Sequence, residues 1–273
     1  MNKIKKAMGY FTRFFYNALI LIVVMMLVTG IVLINNGMNI KKVPFILIME
    51  LGVVFLVYSI SVLVVLTINN KRKKNVSDML DSQGYSDEYF SMLKKYVDKS
   101  SEKNKAMAMI SLAGELSDAG KSKEAISVLK QISLVGATDE VIADYYNAYI
   151  YILIMGGDLE NAEIAYGAGR KFLDMYKDKK SNGAAILHTL GVLEYARGNL
   201  PKAENLFILA KARSKHQDVE NTCNMFLALI YLKTGRLIYA KKITADTIPN
   251  IKNPRQKQDI IKLMKLVESA YGL

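Results

Sequence analysis

Cysteine is almost absent: Cys223 has no partner in the chain, so no internal disulfide framework holds the fold. Histidine is nearly as scarce. Neither His188 nor His216 stands in a His-x-x-x-His or Cys-x-x-Cys spacing, which removes the usual zinc signatures. A Walker-type phosphate loop and a G-x-S-x-G nucleophile elbow are also missing. Gly167-Ala168-Gly169 falls inside a predicted helix, without the strand-turn-helix setting that a phosphate loop needs. No nucleophile, base and orienting group stand together, so the expectation is a protein that is not an enzyme and uses no cofactor. What the chain does have is apolar content: 51% of its 273 residues are hydrophobic, enough to exclude disorder over most of the length.

The net charge of +12 would suggest nucleic acid if it were evenly spread. It is not. Residues 1–70 hold six basic residues and one acid, and Lys71, Arg72, Lys73 and Lys74 follow as an unbroken basic run. Residues 75–232 hold 18 basic and 21 acidic residues, and the excess returns only in 233–273, with nine against three. A net-negative middle repels phosphate, so nucleic acid is not expected as a partner. The basic run beside an apolar region is expected to lie at a lipid surface.

Two apolar stretches precede that run. Phe14–Ile34 is free of charge, and Val43–Ile68 is interrupted only by Glu50. About 20 apolar residues span a bilayer core, so the pair predicts a two-span transmembrane hairpin over 14–70, behind a basic N-terminus at 1–13. Lysine and arginine in the flanks place both termini inside, giving a multi-pass protein of the cell membrane with a cytoplasmic C-terminal part. Glu50 is expected at the outer interface, near Lys41 and Lys42.

Beyond a basic juxtamembrane segment and helix at 71–103, a pattern repeats. Gly120/Ala125, Gly157/Ala162, Gly198/Ala203 and Gly235/Ala240 recur at spacings of 37, 41 and 37 residues. Glycine lets the chain leave one helix in a left-handed conformation, and the small alanine lets the next helix approach closely. Each glycine is preceded by apolar residues at helical spacing, such as Met109, Leu112 and Leu116. One helical hairpin cannot bury its face alone, so the four are expected to stack into an all-α solenoid over 104–250. Asn253-Pro254 then opens a capping helix at 251–273, with Ile260, Ile261, Met264, Leu266 and Val267 as its apolar side.

The third repeat carries Leu187, Leu190-Gly191, Gly198, Ala203, Phe207 and Ala210, in the order found in tetratricopeptide repeats. The others keep part of the pattern: Leu112-Ala113, Gly120 and Ala125 in the first, and Leu227-Ala228, Tyr231, Gly235 and Ala240 in the fourth. The second departs most, with Ile150 where a small residue is usual. The chain therefore resembles a membrane-anchored bacterial tetratricopeptide protein, and the resemblance implies a concave groove for a protein or peptide partner, lined by the first helix of each repeat. Carried across, the groove positions are Ile110, Asn147, His188 and Met225; then Gly114, Tyr151, Val192 and Leu229; then Ser117, Ile154, Tyr195 and Leu232. The Lys-and-Asn clamp that some members use for a C-terminal carboxylate is absent from these rows. The resemblance thus implies a mainly apolar groove, with Asn147, Tyr151, His188 and Tyr195 as polar handles. The expected function is a membrane-anchored interaction adaptor, with an accessory subunit of a transport, secretion or envelope-synthesis complex as the alternative.

Overall fold

The turn glycines set the architecture. In the computed structural model, which describes residues 28–32, 35–37, 43–180, 182–251 and 254–270, Gly120, Gly157, Gly198 and Gly235 adopt φ of 78°, 82°, 79° and 71°. Each closes a helix in the same way: the amide immediately before the next helix reaches back five residues, as in Lys121 N to Leu116 O at 2.8 Å and Asn199 N to Glu194 O at 2.9 Å. Any residue with a Cβ is strained in that conformation, which is why glycine marks each turn.

Eleven long helices follow in order, with no strand among the described residues: α1 Val43–Gln83, α2 Asp87–Asp98, α3 Glu102–Asp118, α4 Ser122–Lys130, α5 Asp139–Met155, α6 Leu159–Tyr176, α7 Gly183–Ala196, α8 Leu200–Arg213, α9 Gln217–Lys233, α10 Leu237–Thr247 and α11 Pro254–Ala270. Side-chain caps start several of them. Ser86 Oγ accepts from Tyr89 N at 3.2 Å, and Asp158 Oδ1 from Asn161 N at 3.2 Å. The chain divides into two compact units, 1–75 and 76–273.

Within 76–273 the pairs α3–α4, α5–α6, α7–α8 and α9–α10 are antiparallel hairpins. Their first helices also pack on one another in succession, α3 on α5, α5 on α7, α7 on α9 and α9 on α11, forming a helical-repeat array with α11 at its end. The predicted alanines, Ala125, Ala162, Ala203 and Ala240, are all fully buried between the helices of their hairpins. Gly191 shows how tight that contact is, since a Cβ there would sit 2.8 Å from Phe207 Cε1. In the second repeat Ile150 is fully buried in place of a small residue. The close approach moves to Gly169 on α6, where a Cβ would overlap the Tyr146 ring. Thr244 and Thr247, at positions where the family favours a large residue and alanine, are buried with their hydroxyls donating to Ala240 O and Ile243 O at 2.6 Å.

Two expectations are corrected. Among the described residues no helix is long and apolar enough to cross a membrane, so the two-span hairpin, and the multi-pass localisation inferred from it, are not upheld. Most of the first stretch, 14–34, lies outside the described residues. The second lies in α1, which does not stop where the apolar run stops. Lysine, arginine, serine and aspartate all tolerate a helix, and no glycine or proline intervenes after Gly52 until Gly84, whose φ is +63°. One 41-residue helix therefore carries Glu50, Lys71, Arg72, Lys73, Lys74, Asp78 and Asp81 together with the apolar run. The second correction concerns α11. Its buried side is Ile260, Leu263 and Val267, while Ile261 and Leu266 are 41% and 57% exposed.

Candidate partner-binding groove

The first helices of the hairpins carry the predicted groove residues. Asn147, Tyr151 and Ile154 are half-buried on α5, and Tyr195 is half-buried on α7. His188 and Val192, also on α7, are only 7% and 1% exposed. Met225 and Leu229 on α9 are half-buried and pack against a cluster formed by Ile251 with Ile260, Leu263 and Val267 of α11. The cap therefore covers that end of the predicted rows. Lys71, Arg72, Lys73 and Lys74 lie on α1, in the other compact unit, and their side chains are outside the described residues.

An aromatic cluster joins the middle of the rows. The His188 ring lies 5.7 Å from Tyr151, 5.6 Å from Phe207 and 5.8 Å from Phe226. Phe226 stacks on Phe207 at 5.0 Å, and its edge meets Tyr195 at 5.5 Å. Lys233 Nζ sits 4.4 Å from the centre of the Tyr195 ring. Phe226 was not among the residues carried over from the family pattern, because it falls between the rows. Its signal is its place beside Leu227, where an aromatic faces the preceding hairpin.

Burial holds His188 neutral by pushing its pKa down to about 4. Its Nε2 is buried and makes no hydrogen bond, and the same is true of Asn147 Oδ1. These two residues occupy one register on consecutive first helices that pack together. Asn224 Oδ1 is a third such atom, but Asn224 Nδ2 donates to Thr247 Oγ1 at 3.0 Å, which turns that side chain toward α10.

A second feature was invisible in the net charge. Tyr89 on α2 donates its hydroxyl to Glu115 Oε2 at 2.8 Å. Burial raises the Glu115 pKa; the Tyr89 bond works against this and Asp218 adds to it. Asp118, one turn further along α3, is pushed up to about 7 by burial, then by Glu115 and Asp218. Tyr151 is raised by burial and then by Asp118, Asp259 and Tyr85. Asp118 adjoins Ser117 of the groove rows, which is the only sequence signal for it.

The remaining reactive candidates are quiet. Cys223 is fully buried, and burial pushes its thiol up to about 12, so the thiolate is inaccessible at neutral pH. Among the described residues no group of three or more His, Cys, Asp or Glu side chains is arranged to hold a metal ion. Comparison with protein families and with curated proteins gives no match.

Proposed function

We propose that residues 76–273 form a non-enzymatic, tetratricopeptide-like interaction adaptor whose inner face receives a peptide segment of a partner protein. The observation that carries this reading is the pair Asn147 Oδ1 and His188 Nε2, two buried acceptors without hydrogen bonds at one register of adjacent repeats. A buried polar atom left unpaired costs about 1–3 kcal/mol, and a bound peptide offers backbone N–H groups at repeating intervals that would satisfy both. The aromatic walls of Tyr151, Tyr195 and Phe226 add the rigid, amphipathic surface that peptide-binding hot spots use. A photo-crosslinking amino acid at Asn147 or Tyr195 should capture one partner in cells, and the same group at the outer-helix positions Ile164 or Ile208 should not. Capture from the outer positions alone would remove the inner face as the binding surface.

A second reading, an accessory subunit within a larger protein assembly, is favoured by α1. Ile48, Phe55 and Leu63 on that helix are 64%, 65% and 62% exposed, an apolar flank of the kind that other subunits cover. Replacing Phe55 and Leu63 by serine would leave peptide capture intact under the first reading. It would release the protein from its assembly under the second.

A further inference from the structure

The first hairpin is incomplete on one side. Its second helix, α4, has nine residues against the 17 of α3, so it covers only about half of its partner. A cleft of about 350 Å³ opens there between α2 and α4, with room for roughly ten waters. Its floor is apolar: Val97 of α2 and Leu112 and Leu116 of α3 are buried, and Val128 of α4 is half-buried beside them. Its rim carries Lys94, Asp98 and Glu124, all exposed. Leu112 and Leu116 lie about a third of a turn of α3 away from the groove positions Ile110, Gly114 and Ser117, so the cleft uses another face of that helix.

An apolar knob stands close by. Gln131 lines the cleft, and Val135 follows four residues later, at most about 14 Å away along the chain. Leu134–Ala137 is a tight turn, closed by Ala137 N donating to Leu134 O at 3.1 Å, with Gly136 at a φ of 73°. The turn fixes Val135 at its corner, where the side chain is 94% exposed. A β-branched side chain has few rotamers, so seating it costs little ordering. At that exposure Val135 does not fill the cleft of its own chain. A two-fold axis beside Gln131 would bring the knob of each copy to the cleft of the other. The rim suits the same arrangement. Lys94, Asp98 and Glu124 form no ion pair among the described residues. A rim of both signs complements its own copy better than it complements a partner of one sign, because a two-fold contact sets each sign opposite the other.

We propose that two copies of the chain pair through this side of the first hairpin. Each seats Val135 in the other's cleft, over Leu112 and Leu116, while Lys94 of one copy meets Asp98 or Glu124 of the other. The contact leaves the inner face free and does not depend on the peptide-adaptor reading. A knob and a cleft make a smaller contact than the roughly 800 Å² per partner of a standard interface, so the pair is weak and forms at raised local concentration. Pairing would give the protein two inner faces, which a partner with two binding segments would hold more tightly than either segment alone.

Trapping in cells reads a weak pair. Two full-length variants, Val135→Cys and Val128→Cys, are coexpressed with different affinity tags and mildly oxidised, and the linked species are identified by mass spectrometry. The native Cys223 is fully buried and does not compete. A disulfide joining the unlike variants should form at least tenfold more than one joining Val135→Cys to Ser269→Cys, an exposed position on the cap. Adding Ser127→Trp, at an exposed position lining the cleft, to the Val128→Cys chain should fill the cleft and lower the yield at least fivefold. Gln131→Trp, also exposed and lining the cleft, serves if the first addition does not fold. A yield no higher than that of the cap control would overturn the pairing. A yield unchanged by the tryptophan substitution in a folded chain would overturn the cleft as the seat of Val135. Linkage of the Val128→Cys thiol to a different protein, in place of the second copy, would overturn the homotypic contact and assign the cleft to that partner.

Discussion

Asp118 is where one residue's chemistry is most exposed to measurement. Its folded pKa of about 7 lies above the ordinary value of 3.8, because burial, Glu115 and Asp218 all disfavour its charge. The folded chain therefore holds this proton more tightly than the unfolded chain does. The stability it contributes is fully present below about pH 4 and is lost as the pH rises through 7. Asparagine at this position has no charge to disfavour, so the Asp118→Asn variant should gain on the wild type between pH 4 and pH 8. The expected difference is about 1–2 kcal/mol after allowance for solvent at a partly exposed carboxyl. Urea melts of both proteins across that range measure it directly. A constant difference would mean that Asp118 is ionised in the folded state at pH 5 and that α9 leaves it solvated. His188 differs in kind, since its depressed pKa keeps it neutral throughout the same range.

Between elements, the joints of the array are ionic as well as apolar. Glu194, only 5% exposed at the end of α7, accepts from Arg197 Nη1 at 2.6 Å, Lys202 Nζ at 2.9 Å and Asn199 Nδ2 at 3.0 Å. Arg197 also grips Glu163 on α6 of the preceding hairpin, with Nε donating at 2.7 Å, and Arg236 repeats the arrangement one hairpin on with Glu204. Burial works to raise the Glu194 pKa, but the bonds from Lys202 and Arg197 hold it below the usual carboxylate range. Its stabilisation is present above pH 4.5 and fades as the pH falls through the lowered value. Glu194→Gln should cost about 2–3 kcal/mol, because two cations and an amide lose a buried anionic acceptor together. Lys202→Ala, at a side chain that is 59% exposed, should cost less than about 1 kcal/mol. Equal costs would show that Lys202 rather than the buried carboxylate fixes the turn. These joints also bear on what the sequence made legible. The hairpins could be read because a glycine and an alanine five residues apart encode a left-handed exit and a close return, both local events. The length of α1 could not be read from charge, since a helix ends at a stop signal and the one that counts is Gly84, well past Lys71–Lys74. The buried face of α11 was misread because Ile261 and Leu266 are as apolar as Ile260 and Val267; only docking on α9 and α10 selects the 260, 263, 267 stripe. The aromatic cluster of His188, Phe207 and Phe226 brings α7, α8 and α9 together, and no local pattern records which rings of separate helices will meet.

At the scale of the molecule, the extensive helix contacts among the described residues of 76–273 run between neighbouring hairpins, so stability is expected to be graded along the array and not shared by all of it. The first hairpin is closed by α2 and the end of α1, where Val76, Met79 and Leu80 pack against the cluster containing Tyr89 and Phe90. The last is closed by α11. Truncation after Asn250 removes four buried apolar residues, Ile251, Ile260, Leu263 and Val267. At roughly 1.5–3 kcal/mol each, the gross loss is on the order of 6–12 kcal/mol, comparable with the whole stability of a typical domain. It also uncovers Met225, Leu229 and Leu232 on α9. A single cooperative unit would unfold throughout on losing that much. An array of nearest-neighbour contacts should instead lose α9 and α10 and keep α3 to α6, whose core around Ile150, Ile152 and Leu153 has no residue from the cap. Hydrogen exchange followed by mass spectrometry separates the two outcomes. Amides of α9 and α10 should lose their protection in the truncated chain while those of α5 retain most of theirs, and uniform loss would mean that coupling across the inner face binds the repeats into one unit.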